Sequence, residues 1–167
     1  AKERGCTVVM GYAERVGTRA YNSALTAAPD GALTNYRKIH LYSRENDLFE
    51  PGDAPAPVIE TPAGRIGVMI CFDWFFPETA RSLALRGAQI IAHPSNLVMP
   101  YCQRAMFARS VENRVYTITA NRIGAEERAG RRLVFTGGSQ ILSPTGETLA
   151  SAPVDAVCER LARRGDL

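Results

Sequence analysis

The fold is decided by the stretch GRIGVMICFDWFFPE, residues 64–78, in which a short aliphatic run stops at a cysteine and a helix signal follows. Residues 66–70 have the length and composition of a buried strand. Pro77 followed by Glu78 is typical of a first helical turn, because proline lacks an N–H and a carboxylate favours the positive end of the helix dipole. The stretch therefore predicts Cys71 at the carboxyl end of a strand, in a sharp strand-to-helix turn.

Such a turn is where open α/β sheets place ligands and where a nucleophile is held exposed. A thiol becomes a good nucleophile only as the thiolate, which requires nearby positive charge, backbone N–H dipoles or an adjacent base. The alternative for Cys71 is packing as a small hydrophobic residue. Asp73 and Trp74, directly after the strand, are poor core residues and suit the lip of a pocket.

The composition is that of an ordinary globular protein. The 167 residues fit one domain, with 46% hydrophobic and 22% charged residues. A net charge of +3 is too small to indicate a nucleic-acid or membrane partner. There is no transmembrane-length apolar stretch and no signal peptide, so we expect a cytoplasmic protein. The 4 cysteines form no CxxC pair and only 2 histidines occur, so neither a metal site nor a disulfide framework is indicated.

Hydrophobic periodicity predicts alternating strands and helices. A buried strand at 6–12 comes before two hairpins, at 22–36 around a Pro-Asp-Gly turn and at 58–70. The elements that follow are helices over 77–86 and 101–115, strands at 89–92, 116–120, 133–136, 140–142 and 147–150, and a weak basic helix over 152–164. Helix 101–115 has one apolar face, formed by Tyr101, Ala105, Ala108, Val111 and Val115. This order implies a mixed sheet with helices, most simply two sheets packed face to face with the helices outside.

Several short motifs together resemble those of the nitrilase superfamily, the carbon–nitrogen hydrolases, over almost the whole chain. Single motifs are weak, but their joint order and spacing are specific. They are GYAE at 11–14, YRKIHL at 36–41, FEPGD at 49–53, GVMICFDW at 67–74, HPSN at 93–96, ENR at 112–114, NRIG at 121–124, GS at 138–139 and SPTG at 143–146. Segment 93–106 looks most like the small-aliphatic nitrilase or amidase branch of archaea and bacteria.

The resemblance implies an α/β fold, an α-β-β-α sandwich, with residues 1–167 as a single carbon–nitrogen hydrolase domain lacking N-terminal strands and a C-terminal tail. It implies a Glu-Lys-Cys triad that works without a cofactor or metal. Cys71 matches the nucleophile and Lys38 the catalytic lysine. Glu45 best matches a second glutamate in the loop after the lysine, and Asp47 and Glu50 compete for that place.

Three further residues are expected near the reacting atoms. The nucleophile would attack a carbon bonded to nitrogen, and the lysine, with the N–H of Phe72, would stabilise the developing charge. Trp74 and Asn96 are candidates for the pocket wall, the alternatives being a packing tryptophan and an asparagine that bonds its own turn. His93 is expected to be a structural hydrogen-bonding residue.

The general base of the family, a glutamate on an upstream strand, has no match here, because Glu3 and Glu14 fall elsewhere in the pattern. We therefore expect at most very weak turnover from the 167 residues alone. The implied substrate is a small nitrile or amide. Alternatives are an N-carbamoyl amino-acid or amine amidohydrolase and a non-catalytic homologue that keeps the fold for binding. A homodimer or higher homo-oligomer through helix 101–115 is implied by the resemblance only.

Overall fold

The computed structural model describes residues 1–128 and 130–152 of the chain. Its strands are β1 (Val8–Val16), β2 (Arg19–Ala27), β3 (Leu33–Arg37), β4 (Val58–Thr61), β5 (Gly64–Val68), β6 (Ile90–Ser95), β7 (Tyr116–Asn121), β8 (Ala125–Arg128), β9 (Arg131–Val134), β10 (Gln140–Leu142) and β11 (Thr148–Ser151). The helices are α1 (Pro77–Leu85) and α2 (Cys102–Asn113), and short 3-10 turns span Lys2–Arg4, Ser43–Asp47 and Cys71–Phe75. Apart from residue 152, the helix predicted over 152–164 lies outside the described residues.

The described strands form two larger sheets and a separate hairpin. β1, β2 and β3 make a three-stranded antiparallel sheet, and six strands form a second sheet in the order β11-β10-β7-β6-β5-β4. β5, β6 and β7 run parallel, with α1 between the first two and α2 between the last two. β8 and β9 pair only with each other. Sheets combined with helices in this way confirm the predicted α/β class.

Turn chemistry explains the two hairpins, and both predictions are confirmed. β2 and β3 pair antiparallel, and the turn between them is held by Asp30, whose carboxylate accepts a hydrogen bond from the N–H of Ala32 at 2.9 Å. Gly31 there has a φ of 95°, a conformation that favours glycine. β4 and β5 pair in the same way, with Gly64 at a φ of 113°. The second hairpin delivers the chain to Cys71.

The parallel strands lie between the helices on one side and the three-stranded sheet on the other. The hydroxyl groups of Thr117 in β7 and Ser110 in α2 lie 2.9 Å apart, so this face of β7 is the helix side. β5 approaches α1 closely at Gly67, where an added Cβ would stand 3.1 Å from the side chain of Leu83. On the opposite side, β1 contacts β6, and a largely apolar cleft of about 460 Å³ lies between the sheets.

One expectation about burial is wrong. The strand predicted as buried is β1, and it is mostly exposed, because it is the edge strand of its sheet in the described structure. The face that α2 buries is not the apolar stripe that includes Tyr101 and Val111, both of which are exposed. Its buried residues are Cys102, Met106, Ser110 and Asn113. Two of these four are polar: Ser110 hydrogen-bonds to Thr117 in β7 and Asn113 donates to the carbonyl of Arg109 in the helix itself. Hydrophobic periodicity does not register such residues.

No helix within residues 1–128 and 130–152 has both the length and the apolar character needed to cross a membrane.

Gly52 provides a test of the packing around β3. Its N–H donates to the carbonyl of Lys38 at 2.9 Å, and an added Cβ would stand 2.1 Å from the carbonyl oxygen of Arg37. Because backbone cannot yield as a flexible side chain does, we expect Gly52→Ala to lower the free energy of unfolding by about 1–3 kcal/mol, measured by urea denaturation.

Gly11→Ala is the matched control for this prediction. The nearest atom to an added Cβ at Gly11 belongs to Pro94 at 3.8 Å, an ordinary contact, so its unfolding free energy should change by less than about 0.5 kcal/mol. Equal stability of the Gly52→Ala variant and the control would contradict the described path of the chain past Lys38.

Candidate active site

The predicted cysteine lies where the sequence places it, at the end of the β5 segment and the start of a 3-10 turn. Cys71 has a φ of 42°, in the left-handed region that non-glycine residues adopt at an energetic cost. Its carbonyl is hydrogen-bonded to Nε2 of His93 at 2.9 Å. A side chain outside the turn therefore holds the strained backbone in place, and Cys71 as a residue is half-buried.

A buried carboxylate ties this turn to the end of β3. Asp73 is fully buried and accepts hydrogen bonds from the N–H of Ile70 at 2.8 Å and the hydroxyl of Tyr36 at 2.9 Å. The N–H of His40, at 3.3 Å, and its ring Nδ1, at 2.8 Å, reach the other oxygen. Burial, and then the charge of Asp73, raise the pKa of Tyr36 well above its ordinary value. The prediction that Asp73 lines a pocket lip is wrong, because its hydrogen bonds draw it into the core.

Lys38 lies between the two residues that Asp73 holds, and its side chain is fully buried. Its ammonium contacts the carboxylate of Glu45 at 2.5 Å. The same carboxylate accepts from the side-chain amide of Asn22 at 3.0 Å and from the N–H of Tyr42 at 2.7 Å. These donors fix the position of the anion and therefore of the cation.

The two acids that competed with Glu45 lie elsewhere. Asp47 pairs with Arg44 at 2.9 Å on the surface. Glu50 is exposed, and its backbone N–H bonds to the carbonyl of Ala20. Glu45 is thus the acid of the three whose contact with Lys38 the structure records.

The thiol of Cys71 experiences opposing influences. Burial raises its pKa, which is the largest effect, and the charge of Glu45 raises it further. The charge of Lys38 and the backbone N–H groups of Asn96 and Phe72 lower it. The net result is a raised pKa, so the resting group is a thiol with a cation and two N–H donors around it. Those donors would stabilise a thiolate or an oxyanion formed at this place.

A small pocket opens beside the thiol. Its lining carries no ionisable acid or base other than Cys71 and the phenol of Tyr42, and consists of Tyr42, Cys71, Phe72, Trp74, Asn96, Leu97, Val98 and Met99. Trp74 is only 4% exposed, whereas Asn96 is exposed. The structure thus brings Cys71, Phe72, Trp74 and Asn96 together at this pocket, and the charges of Lys38 and Glu45 act on its thiol.

Glu14 has a different environment. Its carboxylate accepts two hydrogen bonds from the guanidinium of Arg37, at 2.6 and 2.9 Å, one from the hydroxyl of Ser23 at 2.6 Å and one from Asn35 at 2.9 Å. The Arg37 guanidinium is the main cause that lowers its pKa to about 2. Glu14 is therefore engaged in holding β1 to β3 across β2.

Sequence reasoning missed several supporting residues: Asn22, Tyr36 and His40. One available signal was the position of Tyr36 two residues before Lys38, since residues two apart in an extended segment share a face. No sequence pattern indicated a role for Asn22, because its side chain contacts Glu45 only once β2 and β3 have paired. Among residues 1–128 and 130–152, no group of three or more metal-ligating side chains occurs.

Comparison with known proteins gives a consistent result. The family model for carbon–nitrogen hydrolases matches residues 1–157. A nitrilase from Pyrococcus abyssi is 53% identical over 152 residues, covering 91% of this chain and 56% of the relative, and an (R)-stereoselective amidase from Pseudomonas sp is 37% identical, covering 93% and 57%. The chain thus spans little more than half the length of these curated relatives.

A solved structure shows the same similarity in three dimensions. It is a variant of the amidase from Nesterenkonia sp. AN1, with the acetamide moiety of fluoroacetamide added covalently at its active-site cysteine. The TM-score is 0.81 at 31% sequence identity, covering 92% of this chain and 59% of the amidase chain.

Two substitutions should move the pKa of the Cys71 thiol in opposite directions. Glu45→Gln removes the negative charge that raises this pKa, so the pKa should fall and alkylation by iodoacetamide at pH 7 should become faster. Lys38→Met removes the positive charge that lowers it, so the pKa should rise and alkylation should become slower. The pH dependence of the alkylation rate measures both, and shifts of the same sign would contradict the described geometry.

Glu14 should contribute to acid sensitivity. Its pKa is lowered on folding, from an ordinary 4.5 to about 2, so its stabilisation is complete above pH 4.5 and is lost as the pH falls through about 2. Glu14→Gln should therefore be less stable than the parent at pH 6, and the difference should shrink towards pH 2. Thermal unfolding across this pH range measures it, and a difference that stays constant with pH would exclude the carboxylate as the cause.

Proposed function

Because the chain belongs to the carbon–nitrogen hydrolase family, we propose that it cleaves a non-peptide carbon–nitrogen bond of a small nitrile or amide, with Cys71 as the nucleophile. One observation supports this most strongly. A cysteine in a strained turn has the charge of Lys38 and the N–H groups of Phe72 and Asn96 acting on its sulfur. An inert structural cysteine needs none of these.

In the proposed reaction the sulfur gives an electron pair to the substrate carbon. With an amide, the carbonyl oxygen becomes an oxyanion, which the N–H donors and Lys38 stabilise. The carbon–nitrogen bond then breaks, the nitrogen leaves with an added proton, and a thioester remains on Cys71. Water attacks the thioester, releases the carboxylic acid and restores the thiol. A nitrile would form a thioimidate at the first step.

Lys38 and Glu45 act together in this proposal. Glu45 compensates the positive charge of the buried Lys38, which would otherwise lie away from water without a counter-charge. The cation then faces the carbon–nitrogen bond and favours charge on the sulfur. Deprotonating the thiol needs a base, and the resemblance assigns that role to a further glutamate, for which these 167 residues offer no match. Slow or single-turnover chemistry therefore stays the prediction for this stretch of chain.

The pocket favours a substrate whose carbon side is small and apolar. Phe72, Trp74, Leu97, Val98 and Met99 supply most of the wall. An N-carbamoyl amino acid carries a carboxylate, which would need a cation that this lining does not offer. We therefore place carbamoyl compounds second. A cytoplasmic location and a homodimer or higher homo-oligomer remain predictions.

Intact-mass spectrometry tests the nucleophile directly. Incubating the protein with propionamide or propionitrile should add one acyl or imidoyl group, and Cys71→Ser should abolish the adduct. Cys6→Ser is the matched control, because Cys6 is an exposed free cysteine outside the pocket and its loss should leave the adduct intact. An adduct that follows Cys6, or a Cys71 that never reacts in the folded complete gene product, would defeat the hydrolase proposal in favour of a non-catalytic homologue.

The substrate class is tested by comparing rates of adduct formation side by side. Propionamide or propionitrile should react about 10²-fold faster or more than an N-carbamoyl amino acid, since burying the unpaired carboxylate costs several kcal/mol. Faster reaction of the carbamoyl compound would reverse the order of the two enzyme functions.

A further inference from the structure

His93 is a buried titratable residue to which the proposed mechanism gives no part. It lies in β6, is 1% exposed and contacts the turn at Cys71. Its Nε2 stands 2.9 Å from the carbonyl oxygen of Cys71, and its Nδ1 stands 3.2 Å from the hydroxyl of Thr119 in β7. The hydroxyl of Ser95 lies 3.0 Å from the same Nε2.

These contacts fix the tautomer of the ring. A carbonyl oxygen only accepts hydrogen bonds, so Nε2 carries the proton that it donates to Cys71. Nδ1 then accepts from the hydroxyl of Thr119. Burial lowers the pKa of His93 to about 4, so the ring is neutral at pH 7. A neutral Nε2–H donor is thus directed at the backbone of the cysteine.

The carbonyl that His93 holds belongs to the same peptide unit as the N–H of Phe72. A peptide unit is planar and trans, so its C=O and N–H point in opposite directions. Fixing the carbonyl on the His93 side therefore turns the Phe72 N–H to the other side, where it acts on the sulfur of Cys71. The φ of 42° at Cys71 shows that this backbone orientation is not the relaxed one.

The second N–H donor is connected to the same ring. Asn96, whose backbone N–H also acts on the sulfur, directly follows Ser95. The Ser95 hydroxyl contacts Nε2 of His93 and donates a hydrogen bond to the backbone carbonyl of His93 at 3.3 Å. His93 therefore contacts both segments that carry these N–H groups.

We propose that His93 is a positioning residue that aims the backbone N–H groups of Phe72 and Asn96 at the oxyanion formed on the substrate. This inference rests on the proposed hydrolysis at Cys71. His93 itself touches neither the substrate nor the sulfur in this account. Its effect is on the oxyanion, and so it should affect attack on a carbonyl or nitrile carbon far more than the reactivity of the thiolate in general.

Two substitutions of similar polarity separate this role from simple packing. In His93→Gln, the side-chain amide nitrogen can occupy the place of Nε2 and still donate to Cys71. In His93→Asn, the amide reaches only the place of Nδ1 and the carbonyl of Cys71 loses its donor. We expect the complete gene product with His93→Asn to acylate with propionamide about 10²-fold more slowly, whereas His93→Gln should retain the rate to within about 10-fold.

A second reagent supplies the control reaction. Methyl methanethiosulfonate transfers a methylthio group to the thiolate and releases methanesulfinate, so no oxyanion forms on carbon. Its rate with Cys71 should change less than about 3-fold in both variants. Thr119→Val removes the hydroxyl that fixes the tautomer without adding bulk, and should slow acylation by about 3-fold to 10-fold with the methanethiosulfonate rate unchanged.

The outcomes are distinct. Slow acylation in His93→Asn, rescue in His93→Gln and unchanged thiosulfonate rates support the positioning role. If acylation falls equally in His93→Asn and His93→Gln, or if both reagents slow by the same factor in folded protein, His93 is a packing residue and the inference fails alone. If the unsubstituted complete gene product does not acylate, the proposed function fails and the inference falls with it.

Discussion

A fully buried ammonium group is the constraint on which the rest of this structure depends. Removing Lys38 from water is costly unless an anion compensates it, and the carboxylate of Glu45 does so at 2.5 Å. That carboxylate is itself held by Asn22 and by the backbone of Tyr42. The segment after β3 that carries the lysine and the turn that carries the glutamate are therefore held together, and both charges act on the thiol of Cys71.

Two carboxylates with different surroundings divide the structural tasks around Cys71. Asp73 accepts hydrogen bonds from β3 and from the turn, so it fixes where the lysine segment lies relative to the cysteine. Glu45 sets the charge balance that the sulfur experiences. His93, in β6, holds the backbone of Cys71 through a hydrogen bond to its carbonyl. The contacts of Asp73 with Tyr36 and of His93 with Cys71 join elements that are distant in sequence, so the site forms only when the sheets and turns have assembled.

The sequence predicts the elements well and the contacts between them poorly. The strand-to-helix turn at Cys71 and both hairpins follow from local signals: an aliphatic run before Pro77, and glycines in turns. The prediction that β1 is buried was wrong because burial depends on neighbours in space, and the face that α2 buries depends on such neighbours too. The depth of Asp73 was unpredictable for the same reason, since its partners Tyr36 and His40 lie more than thirty residues earlier in the chain.

The most direct measurement of the central claim is a crystal structure of the complete gene product trapped with an amide-derived adduct. The account predicts continuous density from the sulfur of Cys71 to the acyl carbon, with the acyl oxygen within hydrogen-bond distance of the Phe72 N–H and the Lys38 ammonium. An adduct whose oxygen points away from both donors, or a Lys38 side chain turned from the sulfur with Glu45 still bound to it, would contradict the account.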